Sequence, residues 1–396
     1  WGADKSEIFY AKQDEAHRTY QVWRHVLGTD VESDECLITE PDERFSVAFY
    51  TTLSRKLLLI GSQSSETSEW YYLKLGDESK SNDLTLIAAR EFGVEYDVDE
   101  WNGELVIVTN CDKAVNFKIV HCPIDKCGRE HWKDLMPYDP TTKIDAVSTF
   151  KSFLTIHGRR GGFKQLWMRS AETGIVHQID FEEEAHTVSA STNKEYDTKV
   201  FRFTYSSMTT PRQTFDYDVE SKSRTLLKEA PVPKFDRTLY ESKREYALAS
   251  DGTRIPMSIV YRKDRFVKGT PSPCFLYGYG SYEIPIDPGF NAMYLPILDR
   301  GVTVVIAHVR GGGEEGRTWY DPGARYLTKK NTFTDFISCA EHLIAEKVTV
   351  AEKIAIEGRS AGGLLMGAVV NMRPDLFKAV IAGVPFVDVM NTMSDA

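Results

Sequence analysis

A serine at the centre of a Gly-x-Ser-x-Gly pentapeptide is the residue of this sequence best suited to chemistry. The pentapeptide is Gly358-Arg-Ser-Ala-Gly362, and its serine is Ser360. A sharp strand-to-helix turn exposes such a serine as a nucleophile, and small neighbours let the two elements approach closely. The helix N-terminus then lies beside the developing oxyanion, where the Ala361 N–H can donate a hydrogen bond. The pattern predicts acyl transfer through Ser360, against the alternative of a tight structural turn.

The elements around Ser360 have the order of a parallel sheet with crossover helices. The predicted strands are residues 246–250, 255–261, 274–277, 302–307, 353–357 and 379–384. The first two flank Asp251-Gly252, a strong hairpin signal, whereas the continuous apolar runs after them are typical of strands buried on both faces. One helix is predicted to begin near Asn331, capped by Asn331 or Thr332, and another spans residues 361–372. This order predicts an α/β domain with a doubly wound, mostly parallel sheet.

Two other patterns could bind a cofactor or a metal. Residues 311–316 match the Gly-x-Gly-x-x-Gly dinucleotide fingerprint, but the next residues predict a loop with a proline rather than a phosphate-binding helix. The run that contains His121, Cys122, Cys127 and His131 could suggest zinc, but its cysteines are further apart than in standard sites and residues between them predict a turn. We therefore expect no cofactor and no metal.

Two histidines near the serine are predicted to be structural. His308 ends a buried strand, and His342 lies within the helix that begins near Asn331. In a fold with this elbow the catalytic histidine follows the nucleophile in the chain. Neither residue is therefore expected to be the catalytic base.

The first part of the sequence contains a repeat of short β-rich runs. The first run of each unit is at residues 8–11, 57–60, 105–108, 153–156 and 200–203. A second run follows at residues 19–23, 70–73, 116–120, 165–168 and 214–217. A period near 48 residues without helical pattern is typical of propeller blades, whereas the alternative is a chance spacing in a β-sandwich. The pattern predicts an incomplete β-propeller of about five visible blades over residues 1–230, and the incomplete α/β domain over residues 231–396.

Composition limits the partners and the compartment. The formal net charge of the 396 residues is −10, and no basic face is clustered, which argues against a nucleic-acid partner and favours cationic substrates. The apolar runs are shorter than the roughly 20 residues that cross a bilayer, so no membrane segment is expected. Six cysteines scattered over a large chain favour reduced thiols and a cytoplasmic location.

Five ordered motifs resemble the prolyl oligopeptidase family of serine peptidases. They are residues 276–282 (Leu-Tyr-Gly-Tyr-Gly-Ser-Tyr), 309–314 (Val-Arg-Gly-Gly-Gly-Glu), 330–335 (Lys-Asn-Thr-Phe-Thr-Asp), 358–363 (Gly-Arg-Ser-Ala-Gly-Gly) and 373–377 (Arg-Pro-Asp-Leu-Phe). Residues 360–366 and 384–389 are most similar to the oligopeptidase B group of that family. Several motifs in one order are far more specific than the elbow alone.

The resemblance implies a seven-bladed propeller that caps an α/β-hydrolase domain, with short peptides as substrates. The oligopeptidase B group implies cleavage after Arg or Lys. By the same resemblance Ser360 is the nucleophile, the Tyr279 hydroxyl joins the Ala361 N–H in the oxyanion hole, and Tyr282 lines the substrate pocket. The triad Asp and His and the acids that select a basic side chain are expected after Ala396, so the chain alone is expected to be inactive.

Two rival functions stay open from the sequence. One is a prolyl-specific oligopeptidase or an esterase of the same fold, which would differ in the substrate pocket. The other is a propeller scaffold with a catalytically decayed hydrolase domain. The presence of Ser360, Tyr279 and the flanking glycines in one chain argues against decay.

Overall fold

The computed structural model describes residues 1–2, 6–76 and 84–394. The strands of the first half are β1 (Glu7–Gln13), β2 (Thr19–Val26), β3 (Glu35–Thr39), β4 (Ser46–Thr51), β5 (Leu57–Gln63), β6 (Ser68–Lys74), β7 (Thr85–Ala88), β8 (Tyr96–Trp101), β9 (Glu104–Thr109), β10 (Lys118–Pro123), β11 (Lys133–Met136), β12 (Thr142–Thr149), β13 (Phe153–Arg160), β14 (Phe163–Ser170), β15 (Val176–Gln178), β16 (His186–Ala190), β17 (Val200–Ser207), β18 (Gln213–Asp218) and β19 (Ser223–Glu229). Short 3-10 turns occur at Val31–Ser33, Ile124–Lys126, Arg129–His131, Arg237–Leu239, Ala292–Tyr294, Arg317–Trp319, Tyr326–Thr328 and Ala351–Lys353.

These strands form five consecutive antiparallel sheets within the described residues. The first has the order β1-β2-β3, and each of the other four contains four strands that are consecutive in the chain, from β4–β7 to β16–β19. The predicted pairs of β-rich runs fall in β1 and β2, β5 and β6, β9 and β10, β13 and β14, and β17 and β18. The blade repeat and the β-propeller class are therefore confirmed.

Apolar side chains fill the spaces between neighbouring blades. Phe9 and Val22 of the first sheet pack with Leu58 of the second, and Val108 of the third sheet packs with Ile156 of the fourth. Successive side chains of a strand point to opposite faces of its sheet, so a middle strand contributes to the core on both sides. This is why the middle strands, with their continuous apolar runs, carry the repeat signal.

The second half contains one six-stranded sheet. Its elements are β20 (Tyr240–Leu248), β21 (Arg254–Arg262), β22 (Cys274–Gly278), β23 (Thr303–Ala307), β24 (Ile354–Arg359) and β25 (Ala379–Gly383), with helices α1 (Leu295–Leu298), α2 (Lys330–Ala345), α3 (Ala361–Met372) and α4 (Val389–Ser394). The strand order is β20-β21-β23-β22-β24-β25. The last four strands in that order are parallel, while β21 pairs antiparallel with both of its neighbours. The predicted hairpin and the mostly parallel α/β sheet are confirmed.

Helices α2 and α3 pack on this sheet through apolar faces. Phe336 and Leu343 of α2 and Leu365 of α3 are fully buried against Leu276 of β22 and Ile356 of β24. The three- and four-residue spacing of the apolar positions in α2 produces this single buried face. Among the described residues, no helix is both long enough and apolar enough to cross a membrane.

The predicted cap of α2 is wrong. The helix begins at Lys330, its cap position is Lys329, and no side chain caps it. Asn331 instead donates its side-chain amide to the Gly323 carbonyl, and the Thr332 hydroxyl donates to the Arg310 carbonyl at 2.7 Å. Both side chains instead donate to carbonyls outside the helix. A capping rule considers only neighbouring residues, so it does not anticipate these acceptors.

Ion pairs connect the propeller to the α/β half. The pairs, propeller residue first, are Glu66 with Arg325, Glu95 with Arg317, Lys143 with Glu283, Arg159 with Asp287 and Lys164 with Asp287. The Arg317 backbone N–H also donates to the Asn116 side chain at 2.9 Å. All of these contacts come from residues 283–325, between β22 and α2, so the propeller contacts the segment that follows Tyr279 and Tyr282 in the chain.

Candidate active site

Ser360 lies at the junction of β24 and α3, as the pentapeptide predicted. Its φ is 56° and its ψ is −118°, and the residue is exposed. A non-glycine residue in this region of φ is strained and is held only by its surroundings. Its N–H donates to the Gly383 carbonyl of β25, and its carbonyl accepts from the Phe386 N–H. The local structure is therefore a strained elbow that presents the serine hydroxyl at the carboxyl ends of the parallel strands.

The glycines of the pentapeptide are required by close backbone contacts. A Cβ on Gly358 would lie 2.2 Å from the Gly362 carbonyl oxygen, and a Cβ on Gly362 would lie 2.8 Å from that of Gly278. A Cβ on Gly363 would lie 2.5 Å from the Pro385 Cα. No rotation of a side chain can relieve a contact with backbone atoms. The expected close approach of strand and helix is therefore present in the structure.

Ala361 begins α3 and is buried, with 5% of its surface exposed. The first amides of a helix have no intrahelical acceptor, and the macrodipole makes this end favourable for negative charge. The Ala361 N–H, next to the serine, therefore belongs to a group of donors that can stabilise an oxyanion formed at Ser360.

Tyr279 lies beside this helix terminus. It follows β22, the neighbour of β24 in the sheet, and a Cβ on Gly362 would lie 3.3 Å from its Cδ2 atom. Burial, with a smaller contribution from the nearby Tyr282, raises the pKa of the Tyr279 phenol. The phenol thus keeps its proton at neutral pH and can donate a hydrogen bond. The structure brings Tyr279, Ser360 and Ala361 together at the carboxyl edge of two adjacent parallel strands.

Both halves of the chain match known protein families. Residues 1–230 match the prolyl oligopeptidase N-terminal β-propeller domain, and residues 288–396 match the prolyl oligopeptidase family. The chain belongs to the prolyl oligopeptidase family. The resemblance that the five motifs indicated is confirmed.

Relatives in this family are similar along nearly the whole chain. Protease 2 of Moraxella lacunata is 39% identical over 389 residues, which cover 98% of this chain and 55% of that protein. Dipeptidyl aminopeptidase BI of Pseudoxanthomonas mexicana is 38% identical, with 100% of this chain and 54% of that protein covered. Oligopeptidase B from Trypanosoma brucei, in a closed form with covalently bound antipain, matches with a TM-score of 0.92 and 44% identity over 100% of this chain and 57% of that one. The chain spans about half the length of the curated relatives it matches.

Tyr282 occupies a different environment from Tyr279. It is 62% exposed, and its φ of 58° places its backbone in the left-handed region. An exposed aromatic side chain held by a strained backbone is available to contact a ligand. Its assignment to a substrate pocket stays a prediction.

The two histidines are engaged elsewhere. His308 is 0% exposed, with Nε2 2.7 Å from the Ser258 hydroxyl and Nδ1 3.7 Å from Glu314. This Ser-His-acid row resembles a triad, but Ser258 is also 0% exposed, so a substrate cannot reach it. Burial lowers the pKa of His308, which keeps the imidazole neutral. His342 lies 3.6 Å from Glu245.

The suggested metal ligands on the propeller have other contacts. The Cys122 thiol faces the Cys127 carbonyl at 3.8 Å, and His121 pairs with Glu104 at 2.7 Å. In residues 1–2, 6–76 and 84–394, no group of three or more His, Cys, Asp or Glu side chains is placed to hold a metal ion.

Sequence reasoning missed two lysines that contact the segment after Tyr279. Lys143 of the propeller pairs with Glu283 at 3.0 Å, and Lys329 donates to the Ser281 hydroxyl at 2.6 Å. The sequence signal for Lys329 was weak, because it is one of two lysines at the start of α2 and only the structure distinguishes it from the exposed Lys330. Lys143 shows no comparable local signal, since its partner is remote in the chain.

Proposed function

We propose that the protein to which this chain belongs is a serine peptidase that hydrolyses short peptides through an acyl-enzyme on Ser360. The observation that supports this most directly is the strained, exposed Ser360 at the N-terminus of α3, with Tyr279 beside the same turn. The similarity to Protease 2 and to oligopeptidase B agrees with this activity.

In the proposed reaction the Ser360 hydroxyl oxygen attacks the carbonyl carbon of the scissile peptide bond. The carbonyl oxygen becomes negatively charged and accepts hydrogen bonds from the Ala361 N–H and the Tyr279 hydroxyl. The serine proton passes to a histidine, which later donates it to the leaving amine as the peptide bond breaks. In this fold the histidine and its carboxylate follow the nucleophile in chain order, so we expect them after Ser360.

The propeller supports a preference for peptides over folded proteins. It contacts the chain between β22 and α2, which begins with the turn that contains Tyr279 and Glu283. We propose a division into the propeller, residues 1–230, and the catalytic half, residues 231–396. A propeller docked beside the proposed site would admit flexible chains more readily than folded domains.

Cleavage after Arg or Lys is the specificity that we propose. It is supported by the similarity to oligopeptidase B and by the net charge of −10, which favours the encounter with cationic peptides. The similarity to a dipeptidyl aminopeptidase supports a second candidate, the removal of dipeptides from a free N-terminus. We also propose a cytoplasmic location, because all six cysteines are free thiols.

The decisive experiment uses the full-length protein and its Ser360→Ala variant. We expect the variant to lose peptide hydrolysis, and a fluorophosphonate probe to label the wild-type protein at Ser360 only. Ser258→Ala is the control for the buried Ser-His-acid row, because it removes the serine that contacts His308 without touching the elbow. Hydrolysis that survives in Ser360→Ala would refute the assignment.

Specificity is measured with four reporters: N-acylated peptides with Arg, Pro or Leu before the scissile bond, and a dipeptide reporter with a free N-terminus. We expect the N-acylated Arg reporter to have the highest kcat/KM. A faster N-acylated Pro reporter would favour a prolyl-specific enzyme. Activity restricted to the free dipeptide would favour the aminopeptidase.

A further inference from the structure

The turn from Tyr279 to Glu283 has a strained backbone. Gly280, Tyr282 and Glu283 have φ values of 68°, 58° and 58°. This region suits glycine, but a tyrosine and a glutamate remain there only if the surrounding contacts hold them. The contacts that hold this turn therefore determine where the Tyr279 phenol lies.

Lys329 provides three of these contacts. Its Nζ donates to the Gly280 carbonyl at 2.5 Å, to the Ser281 hydroxyl at 2.6 Å and to the Thr332 hydroxyl at 3.3 Å. All three acceptors are neutral, so hydrogen bonds rather than an opposite charge stabilise the ammonium. Burial lowers the pKa of Lys329 to about 8, which leaves the group mostly protonated at neutral pH.

The place of Lys329 in the chain is unfavourable for helix stability. It occupies the cap position of α2, whose first turn contains no acidic residue. A positive charge at a helix N-terminus is repelled by the macrodipole, and a flexible lysine also loses rotamer entropy when it is ordered. The position is therefore explained by what the ammonium binds, not by the helix.

The same turn rests on a rigid platform formed by two motifs, residues 309–314 and 330–335. The catalytic roles proposed above leave both motifs unexplained. A Cβ on Gly311 would lie 2.0 Å from the Gly280 carbonyl oxygen, so the two backbones are in direct contact. Thr332 donates to the Arg310 carbonyl, and the Arg310 guanidinium makes a two-point ion pair with the fully buried Asp335. Lys329 joins this platform to the turn.

We propose that Lys329 is a positioning residue for the oxyanion hole. Its ammonium ties Gly280 and Ser281 to the start of α2 and thereby orients the Tyr279 hydroxyl towards the oxygen that becomes negative at Ser360. The inference rests on the proposed function. Because the hydroxyl acts on charge that develops only in the transition state, loss of Lys329 lowers kcat and leaves KM nearly unchanged.

The test compares Lys329→Met with Lys330→Met in the full-length protein. Lys330 is the exposed neighbour in the same first turn, which makes it a matched control. We expect Lys329→Met to lower kcat about tenfold, less than the loss of a whole oxyanion donor, with KM within about twofold. Lys330→Met should leave both constants unchanged. A normal kcat in Lys329→Met would overturn the proposal.

A double-mutant cycle shows whether Lys329 acts through Tyr279. In the Tyr279→Phe background, where the hydroxyl is already absent, Lys329→Met should lower kcat by less than about twofold, because coupled residues are not additive. A full tenfold loss in that background would overturn the proposal. Ser360→Ala tests the proposed function separately: if that variant stays active, the nucleophile is misassigned, whatever the cycle shows.

A second variant covers the case in which Lys329→Met does not fold. Lys329→Cys leaves room for water, and alkylation with 2-bromoethylamine restores an ammonium at nearly the original position. We expect alkylation to restore most of the lost kcat. Wild-type protein treated in the same way is the control, because the exposed Cys36 also reacts. Failure of alkylation to raise kcat, with modification verified by mass spectrometry, would overturn the proposal.

Discussion

Ser360 and Tyr279 occupy adjacent positions at one edge of the sheet, but they are held in different ways. Ser360 is held by backbone packing, since Gly358 and Gly362 leave no space for a Cβ. The Tyr279 turn also rests on the Gly311 backbone, but its side-chain contacts are polar, with Lys329 on one side and the Lys143–Glu283 ion pair on the other. Close packing resists displacement in every direction, whereas charged contacts depend on protonation, salt and the docking of the propeller.

In the proposed function, these two residues have different tasks. The elbow of Ser360, the proposed nucleophile, packs against residues of the α/β half, namely Gly278, Tyr279 and Pro385. The turn of Tyr279, the proposed oxyanion donor, contacts both halves through Lys329 and Lys143, so we expect propeller docking to affect transition-state stabilisation through this turn. Substitutions in the packed elbow of Ser360 should therefore lower mainly the stability of the fold. Substitutions at the Tyr279 turn should lower mainly kcat.

Gly358→Ala should have the largest effect. Its Cβ would meet the Gly362 carbonyl at 2.2 Å, so β24 and α3 must separate. We expect the free energy of unfolding to fall by on the order of 4 kcal/mol, with loss of activity, because overpacking against backbone is among the most destabilising changes. Denaturant unfolding of the full-length protein measures it. A stable, active variant would show that packing does not hold Ser360.

Tyr279→Phe tests the polar side of the comparison. Removal of one oxyanion donor costs about 2.7–4 kcal/mol of transition-state stabilisation, on the order of 10²–10³ in kcat. We expect kcat to fall by that factor with little change in KM or unfolding. Tyr277→Phe is the control, because that ring packs in the separate apolar cluster around Leu298 and Ile306. Equal effects of the two variants would argue against a special role for the Tyr279 hydroxyl.

Lys143→Met tests the link to the propeller. Lys143 lies between Asp145 and Glu283 at 3.1 and 3.0 Å, and its loss leaves the Glu283 end of the turn without its cation. We expect kcat to fall about threefold to tenfold, the effect of about 1 kcal/mol in a partly buried ion pair. Lys151→Met is on the same blade as Lys143, removes an exposed ion pair with Asp197 of the next blade, and should change nothing. Identical kinetics in both variants would mean that the propeller does not help to position the turn and that contacts within the α/β half are sufficient.

Gly367→Ala should have the smallest effect, of opposite sign. It lies within α3, and the nearest atom to its Cβ would be a Val387 methyl at 3.9 Å. Replacement of glycine in a helix interior stabilises by roughly 0.5–1 kcal/mol when space is available. We expect a slightly higher unfolding free energy and normal kcat. A destabilised variant would show that α3 does not tolerate an added methyl group at Gly367, although the contacts there leave room for one.

Much of the architecture was predictable because it depends on local patterns. The blade repeat follows from short apolar runs at a constant period, and α3 spans residues 361–372 as predicted. The elbow was equally clear, since steric limits on a strained turn require small residues around Ser360. The cap of α2 was predicted wrongly, because Thr332 bonds to Arg310 instead of its own helix.

The sequence by itself determined which residues can do chemistry and which elements they join, because periodicity and turn sterics act over a few residues. Only the tertiary structure decided how the Tyr279 turn is supported. The contacts of Lys329 with Gly280 and of Lys143 with Glu283 join residues far apart in the chain. Such contacts depend on how strands and blades pack in three dimensions, and no local pattern encodes that arrangement.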